Sequence, residues 1–338
     1  MEKTIKTGLL AYGMSGKVFH APFISTHPGF ELIAITERNH KKAVADYPNI
    51  ISHDTIEETI NRDDLDLIII NTPNFTHFEY ASKALKAGKH ILVEKPFTTT
   101  VEEATELFEL AESLDKKIFV FQSRRFDSDF IAVRKVIDSG VLGKLHEIHI
   151  RYDRYRATIS PKSFKEEPMP ASGLQYDLGP HLLDQAISLF GKPDSFYKIL
   201  GMNRTETKVD DYFSIHLAYP NSLNVFVHAN MLITDIQPAF VVYGHDGSLI
   251  KDRADIQEEQ LLKGLKPTDE GYGIEPVGKE ASQTIIDAEG NKTKQFVQSE
   301  KGDYTALFEA LYQSVAHDAE FPITKEQVLI QLEILEKA

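Results

Sequence analysis

The first 120 residues alternate short apolar runs with amphipathic segments, and no other feature constrains the fold as strongly. The runs are rich in Ile, Val and Leu, which is typical of strands that helices cover on both faces. They span residues 5–12, 31–36, 65–71, 90–93 and 118–121. Between them, residues 75–87 and 101–114 have the apolar spacing of helices. The pattern predicts an open α/β sheet, in which ligands bind beyond the carboxyl ends of the parallel strands.

A turn of small residues follows the first predicted strand. The dinucleotide fingerprint places glycine in three slots of such a turn, and Gly13 and Gly16 fill the second and third slots. Ala11 occupies the first slot, where a small residue suffices if its φ is negative. The predicted cofactor-binding residues of this turn are Tyr12, Gly13, Met14, Ser15 and Gly16. The alternative is an ordinary strand–helix turn without a ligand.

Glu37 and Arg38 end the second predicted strand and give opposite indications of the cofactor. A carboxylate at this place accepts hydrogen bonds from the adenosine ribose and favours NAD. A guanidinium stacks on adenine or meets the 2′-phosphate of NADP. Because a carboxylate repels that phosphate, the pair slightly favours NAD, although Glu37 can swing aside. Both residues are predicted to bind NAD or NADP.

Polar residues follow the third long strand and open the next helix. Asn71, Thr72, Pro73, Asn74 and His77 are predicted to contribute to the cofactor site. Helix capping is the alternative for the asparagines and threonine. A structural or edge role is the alternative for His77, and it is the interpretation given to His20.

Glu94-Lys95-Pro96 closes a buried strand, so Lys95 is predicted to lie at the carboxyl edge of the sheet. A cation there holds a substrate hydroxyl or stabilises a developing alkoxide. Glu94 and Lys95 are therefore candidates for the cofactor site, and Lys95 also for substrate binding. The alternative is a solvated lysine at a strand end.

A second motif contains Asp177 and, four residues later, His181. Pro180 fits the first turn of a helix, which places His181 near a helix N-terminus. The partial positive charge there favours a neutral imidazole, which is the form that a general base needs. The alternatives are a capping Asp177 and a buried, satisfied His181. Asp184, one turn further on, either orients the imidazole or faces solvent.

Composition limits the other possible functions. The net charge is −14, so a nucleic acid is a poor candidate partner. No apolar run is long enough to cross a membrane, and the first residues lead directly into a strand. The chain has no cysteine, which excludes thiolate chemistry and agrees with a cytoplasmic location. Histidine spacing suggests no metal site.

The second half has a different pattern, with alternation typical of a sheet that has one solvated face. Residues 144–152, 195–200, 211–219, 223–231 and 240–243 are predicted strands. Residues 181–190, 304–316 and 325–337 are predicted helices, and residues 252–303 are predicted to be a loop with little regular structure. The predicted domains are residues 1–123 and 124–338. Arg124 and Arg125 are predicted to meet ligand oxygens or to form an interdomain salt bridge.

Three motifs in this order resemble the Gfo/Idh/MocA oxidoreductases. They are the segment GMSGKVFHAP at residues 13–22, Glu94-Lys95-Pro96, and Asp177-x-Gly-x-His181. The first resembles most the branch that contains the scyllo-inositol dehydrogenases. The resemblance implies an N-terminal Rossmann domain with a parallel sheet, which binds NAD(P). It also implies a C-terminal α+β domain that binds substrate and has an open, mostly antiparallel sheet, the subunit interface of homodimers or homotetramers.

The implied activity is reversible hydride transfer between NAD(P) and a secondary hydroxyl of a sugar, inositol or related polyol. By the same resemblance Lys95, Asp177 and His181 match the catalytic lysine, aspartate and histidine, and no metal is implied. Either His181 or Lys95 accepts the proton. Because they lie close to the Asp177 motif, the candidates to line the substrate pocket are Tyr152, Arg154, Tyr155 and Tyr176. The three tyrosines join Lys95, Asp177 and His181 as predicted substrate-binding residues. The alternatives are a regulatory protein that senses NAD(P), and a reductase of the dihydrodiol or biliverdin type.

Overall fold

The computed structural model describes residues 3–160 and 163–337, which form two compact units. The first unit comprises residues 1–123, 257–272 and 303–329. The second comprises residues 124–256, 273–302 and 330–338. The C-terminal part of the chain therefore contributes to both units.

The strands, in chain order, are β1 Ile5–Leu9, β2 Phe30–Thr36, β3 Ile51–His53, β4 Leu67–Ile70, β5 His90–Glu94, β6 Ile118–Phe121, β7 Leu145–Arg151, β8 Ser195–Gly201, β9 Tyr212–Tyr219, β10 Leu223–Asn230, β11 Phe240–Gly244, β12 Gly247–Lys251, β13 Ala281–Ile286 and β14 Lys292–Val297. The α-helices are α1 Ala21–Thr26, α2 Ala43–Asp46, α3 Ile56–Ile60, α4 His77–Lys86, α5 Val101–Ser113, α6 Ser128–Asp138, α7 Ser163–Glu166, α8 Leu174–Asp177, α9 Gly179–Phe190, α10 Ile256–Leu262, α11 Tyr304–His317 and α12 Lys325–Glu336.

The first unit contains a parallel sheet with the strand order β3-β2-β1-β4-β5-β6. This is the order of a dinucleotide-binding Rossmann sheet, whose ligand lies beyond the carboxyl ends of the strands. The strands are buried as expected, since every residue of β4 is inaccessible to solvent. The predicted parallel α/β sheet is confirmed.

The second unit contains a sheet with the order β14-β13-β12-β11-β7-β10-β9-β8. All neighbouring strands are antiparallel except β7 and β10, which are parallel. Buried and half-exposed residues alternate along β9 and β10, so one face is covered and the other is open. The predicted open, mostly antiparallel sheet is confirmed.

The prediction of little regular structure in residues 252–303 is wrong. This segment forms α10 and the hairpin of β13 and β14 at the edge of the second sheet. The hairpin turns at Asp287, whose backbone N–H donates to the Asn291 carbonyl at 3.0 Å, and Gly290 adopts a φ of 85°. Five of the six residues of β14 are exposed, so this edge strand lacks the apolar pattern on which the prediction depended.

Candidate active site

The turn after β1 is built around two glycines. A Cβ at Gly16 would lie 2.2 Å from the Ala11 carbonyl oxygen and 2.9 Å from the Asn71 amide nitrogen, so glycine alone fits. A Cβ at Gly13 would meet no atom within 4 Å. Gly13 thus leaves open the space that a pyrophosphate needs, while Gly16 permits close packing of the helical segment against the strand.

Asn71, the first residue after β4, holds this turn from the side. Its amide nitrogen donates to the Ala11 carbonyl at 2.8 Å, and its side-chain oxygen accepts from the Ala11 N–H at 3.0 Å. Ala11 has no positive φ, so its methyl group causes no backbone strain. Ala11 therefore meets the condition on φ under which a small residue can replace the first glycine of the fingerprint. Asn71 fixes the turn and does not cap a helix.

The other residues of the predicted turn differ in their surroundings. Tyr12 donates a 2.7 Å hydrogen bond to Asp46, and Lys17 Nζ lies 3.1 Å from the same carboxylate. Burial, and then the bond to Asp46, raises the pKa of Tyr12, so its hydroxyl stays protonated at neutral pH. Met14 is largely exposed, and Ser15 makes no side-chain cap to the π-helical turn that follows it.

Glu37 follows β2, as predicted, but its carboxylate is already bonded within the protein. It accepts hydrogen bonds from the backbone N–H groups of Lys42 at 2.9 Å and Ala43 at 3.0 Å, at the start of α2, and from the Ser52 hydroxyl at 3.2 Å. The residue is 8% exposed. Arg38 is exposed, and among the described residues none accepts a hydrogen bond from its guanidinium. The accessible group at this strand end is therefore a cation.

The segment after β4 is held together by its own polar groups. The Thr72 and Thr76 hydroxyls are hydrogen-bonded at 2.7 Å, and the Asn74 side chain accepts from the next backbone N–H at 3.0 Å. His77 is buried, with its ring nitrogens 2.9 Å from the Pro96 carbonyl and 3.0 Å from the Thr72 carbonyl. Burial outweighs these contacts and lowers the pKa of His77. The ring lies between the turn after β4 and the turn after β5, and in its neutral form it donates its single N–H to one of the two carbonyls.

Lys95 directly follows β5 at the carboxyl edge of the first sheet, and it is half-buried. The preceding Glu94 lies 2.8 Å from His20 Nε2, whose ring is fully buried and packs on Phe121. Burial opposes ionisation of Glu94, but the His20 hydrogen bond and neighbouring charges outweigh it and lower the pKa of Glu94. His20, interpreted as a structural or edge residue, is therefore the partner that keeps Glu94 ionised beside Lys95.

In the second unit, Asp177 ends α8 and His181 lies in the first turn of α9. Pro180 precedes His181 at the start of this helix, where its missing N–H is not required. His181 is 8% exposed, and its backbone N–H donates to the Leu178 carbonyl at 3.2 Å. The predicted helix start is confirmed, and the imidazole lies where the helix dipole favours its neutral form.

The start of α8 is fixed by a half-buried carboxylate. Asp210 accepts a 2.6 Å hydrogen bond from the Gln175 backbone N–H. Gly173 precedes the helix with a φ of 87°, and a Cβ there would lie 2.0 Å from the same carboxylate. Burial raises the pKa of Asp210 to about 6. The conformation of the helix that carries Asp177 therefore depends on a tightly packed acid.

Lys165 is a site residue that the sequence analysis missed. Its Nζ donates a 2.6 Å hydrogen bond to Asp177 Oδ1, and both side chains are partly exposed. The next residue, Glu166, accepts from the buried Arg204 at 2.8 Å, and Arg204 also donates to Asp211 at 3.1 Å. This network anchors α7. A signal was available in the basic composition of residues 151–165 within an acidic chain.

Asp184 neither orients His181 nor faces solvent, so both interpretations made for it are wrong. Its two oxygens accept 2.6 and 2.7 Å hydrogen bonds from Arg125, and both residues are buried. Arg124 donates to Asp127 at 3.1 Å and to Asp255 at 3.0 Å. These ion pairs lie within the second unit, because Arg125 reaches a carboxylate that faces the core side of α9.

The three predicted substrate-binding tyrosines have different environments. Tyr152 is buried, and its hydroxyl donates to Asp255 at 2.8 Å. Tyr155 is 61% exposed and forms an isolated β-bridge with Leu232. Tyr176, on α8 next to Asp177, is half-buried, and burial raises its pKa to about 12. Tyr176 therefore remains a neutral hydroxyl beside the proposed acid–base residues.

Residues 3–160 and 163–337 contain neither a metal-binding cluster nor a membrane-spanning helix. Within these ranges, no three His, Asp or Glu side chains are grouped so that they could hold a metal ion. No helix in the same ranges is long and apolar enough to span a membrane.

Comparisons with known proteins cover both halves of the chain. The family description "Oxidoreductase family, NAD-binding Rossmann fold" matches residues 5–122, and "Oxidoreductase family, C-terminal alpha/beta domain" matches residues 134–338. The chain belongs to the Gfo/Idh/MocA oxidoreductase family. The family that the three motifs indicate is confirmed, and the Rossmann domain supports a nicotinamide cofactor.

Full-length relatives are known in several organisms. Bacillus subtilis scyllo-inositol 2-dehydrogenase (NADP(+)) IolW is 31% identical, over 99% of this chain and 93% of its own. The Escherichia coli oxidoreductase YdgJ is 37% identical, over 99% of this chain and 96% of its own. The crystal structure of an oxidoreductase from Bacillus cereus has a TM-score of 0.91 at 32% identity, covering 98% of this chain and 95% of that chain. The relatives of this family member thus include an inositol dehydrogenase.

Proposed function

We propose that this family member is an NADP-dependent dehydrogenase acting on a secondary hydroxyl of a sugar, inositol or related polyol. The observation that carries the proposal is the carboxyl edge of the first sheet. There the open turn at Gly13 follows β1 and the half-buried Lys95 follows β5, both at ends of parallel strands. Family membership supports hydride chemistry, and the inositol dehydrogenase among the relatives supports a secondary alcohol.

The residues present fit a nicotinamide dinucleotide. The turn from Tyr12 to Gly16 would hold the pyrophosphate, since Gly13 leaves room for it and Asn71 fixes the backbone. The remaining parts of the cofactor would be held by the segment from Thr72 to Asn74 and by the Glu94–Lys95 pair. Residues 1–123 then form the cofactor domain, and residues 124–338 form the domain for substrate binding and assembly. A cytoplasmic location suits such an enzyme.

The proposed chemistry divides between three residues. The bound cofactor supplies the acceptor for the hydride that leaves the alcohol carbon. His181 takes the hydroxyl proton, since the start of α9 favours its neutral imidazole. Lys95 stabilises the developing alkoxide, and Asp177 orients the hydroxyl. A lowered pKa at Lys95 would exchange the roles of lysine and histidine in proton transfer.

The environment of Glu37 supports NADP over NAD. Its carboxylate accepts hydrogen bonds from the backbone N–H groups of Lys42 and Ala43 and from the Ser52 hydroxyl, so its oxygens are not available to the adenosine ribose. Arg38 is exposed beside it and offers a guanidinium fork suited to that phosphate. The small preference for NAD inferred from the sequence assumed a free carboxylate. The structure removes that assumption.

Fluorescence titration with NADPH and NADH tests this preference without turnover. We expect NADPH to bind at least about tenfold more tightly, and Arg38→Gln to remove the difference. Lys86→Gln is the matched control, because it removes one exposed positive charge at the end of α4 and should leave the ratio unchanged. Equal binding of the two cofactors by the wild-type protein would refute the proposal for NADP.

The open face of the second sheet supports a homodimer or homotetramer. One row of cross-strand partners crosses the whole sheet: Tyr197, His216, Phe226, His149, Val241, Ile250, Ser282 and Phe296. Tyr197 is 67% and Phe296 is 70% exposed in the single chain. Light scattering after gel filtration should show an oligomer. A monomer at micromolar concentration would contradict this assembly.

Reduction of NADP⁺ and NAD⁺ across a panel of inositols and aldoses tests the activity itself. We expect turnover with NADP⁺, and we expect Lys95→Met to abolish turnover even at an NADP⁺ concentration that saturates the variant. No turnover on the whole panel, with intact cofactor binding, would favour the regulatory alternative. Activity confined to flat aromatic compounds would favour the reductase alternative.

A further inference from the structure

Residues 151–165 are a basic segment in an acidic protein. The segment contains three Arg, two Lys and one Asp, whereas the whole chain has a net charge of −14. The concentration of one sign of charge in a segment raises the local concentration of oppositely charged ligands. Two of the predicted substrate-binding residues, Tyr152 and Tyr155, lie in this segment.

The buried ring of Tyr152 is surrounded by guanidinium groups. Those of Arg124, Arg154 and Arg253 lie 5.1, 4.6 and 4.7 Å from its centroid. Cation–π contacts of this kind hold a guanidinium in a fixed plane and reduce the entropy that it loses on binding a ligand. The ring therefore acts as a platform on which cations are positioned in advance.

Two of these cations, Arg124 and Arg253, already donate hydrogen bonds to acceptors within the protein. Arg124 is bonded to Asp127 and Asp255, as described above. Arg253 donates to the Arg151 carbonyl at 2.7 Å and lies 3.5 Å from Asp129.

Arg154 differs from both. Its guanidinium is half-buried, and within the described residues no carboxylate or carbonyl accepts a hydrogen bond from it. A half-buried cation whose N–H groups donate to no protein acceptor is available to bind an oxygen of a ligand. A planar guanidinium matches two oxygens of a carboxylate or a phosphate.

The platform is connected to the proposed acid–base residues within the second unit. Arg124 accepts through its carbonyl a 3.2 Å hydrogen bond from Gln185, which lies one turn after His181 on α9. On the other side, Arg204 donates to the Thr158 carbonyl at 3.3 Å and to Glu166 at 2.8 Å.

Glu166 is adjacent to Lys165, whose Nζ bonds to Asp177. The basic segment is thus joined to both helices that carry the proposed acid–base pair.

We propose that the substrate of this enzyme carries an acidic group, a carboxylate or a phosphate, and that Arg154 binds it. This inference rests on the proposed dehydrogenase function and narrows the substrate from any polyol to an acidic one. Because Arg154 recognises a group other than the reacting hydroxyl, its contribution should lie mainly in KM rather than in kcat.

Substrates that share a polyol ring and differ in whether they carry an acidic group test the inference. The first series is D-glucose, D-glucuronate and D-glucose 6-phosphate. The second is myo-inositol and its monophosphate. Each compound is assayed with the preferred cofactor. We expect at least one charged member to exceed its neutral counterpart about tenfold or more in kcat/KM. The carboxylate and phosphate arms show which acidic group is recognised.

The variant Arg154→Gln should reduce this ratio about tenfold, through KM, with an unchanged Tm as the check of folding. Arg156→Gln is the matched control: it removes the same charge two residues away, at an exposed site. An equal loss in both variants would overturn the assignment to Arg154. Turnover of neutral members in preference would overturn the acidic substrate and leave the dehydrogenase intact, whereas no turnover in any arm would overturn both.

Discussion

Replacing Gly13 and Gly16 by alanine, one at a time, distinguishes two roles of the turn after β1. One role is close packing within the fold, and the other is space for a cofactor. In Gly16→Ala the new methyl group would start 2.2 Å from the Ala11 carbonyl oxygen, where a carbon–oxygen contact is normally about 3.3–3.6 Å. The backbone must therefore move by about 1 Å. Overpacking of this kind costs about 1–3 kcal/mol, and each kcal/mol lowers Tm by about 2–4 °C in a domain of this size.

In Gly13→Ala the methyl group meets no atom within 4 Å, and the residue has no positive φ. We expect an unchanged or slightly raised Tm, because alanine restricts the unfolded chain by up to about 1 kcal/mol. The methyl group stands in the space assigned to the pyrophosphate, so the Kd for NADPH should rise about tenfold, or about 1.4 kcal/mol. Differential scanning fluorimetry and NADPH fluorescence measure the two effects. Wild-type NADPH affinity in Gly13→Ala, or a wild-type Tm in Gly16→Ala, would refute the reasoning.

Three further predictions concern buried polar groups. Asp184→Ala leaves the buried Arg125 guanidinium without its carboxylate, and urea unfolding should show a loss of about 3–5 kcal/mol. Because the raised pKa of Asp210, about 6, makes its ionisation unfavourable in the fold, the contribution of Asp210 to stability should fall as pH rises from about 4 to 6, by at most about 3 kcal/mol. Asp210→Asn removes this contribution, so the difference in Tm between the variant and the wild type should change over this pH range, and a constant difference would contradict the prediction. His20→Phe keeps the packing but removes the bond to Glu94, so we expect a loss of about 1–3 kcal/mol at pH 7 that shrinks when Glu94 is protonated at low pH.

The sequence predicted those parts of the fold in which burial leaves a local pattern. The strands of the first sheet are short apolar runs because helices cover both faces, and β9 and β10 alternate because one face is open. The hairpin of β13 and β14 escaped prediction because backbone pairing at a sheet edge requires no apolar side chains. Strand formation there is decided by the neighbouring β12, which no local window contains.

The sequence indicated which residues are candidates for the site, but not the residues to which they are hydrogen-bonded. Lys95, Asp177 and His181 come from motifs that can be recognised within a few residues. Their surroundings come from residues far along the chain: Asn71 bonds to Ala11 across 60 positions, and His20 meets the end of β5 across 74. Such contacts depend on the strand order β2-β1-β4-β5, which brings distant turns to one edge. Hydrogen-bond partners therefore become predictable only after the topology is known.

Glu37 shows how this limit affects a functional conclusion. A carboxylate after β2 indicates NAD only if its oxygens are free to meet a ribose, and that premise concerns hydrogen bonding rather than residue type. In this chain the N-terminus of α2 lies close enough for its backbone N–H groups to occupy the carboxylate, together with Ser52. These hydrogen bonds hold the carboxylate within the protein, and the next residue, Arg38, is exposed. The same acidic residue indicates NAD when its oxygens are free, whereas its hydrogen bonds in this chain are the basis on which NADP is proposed.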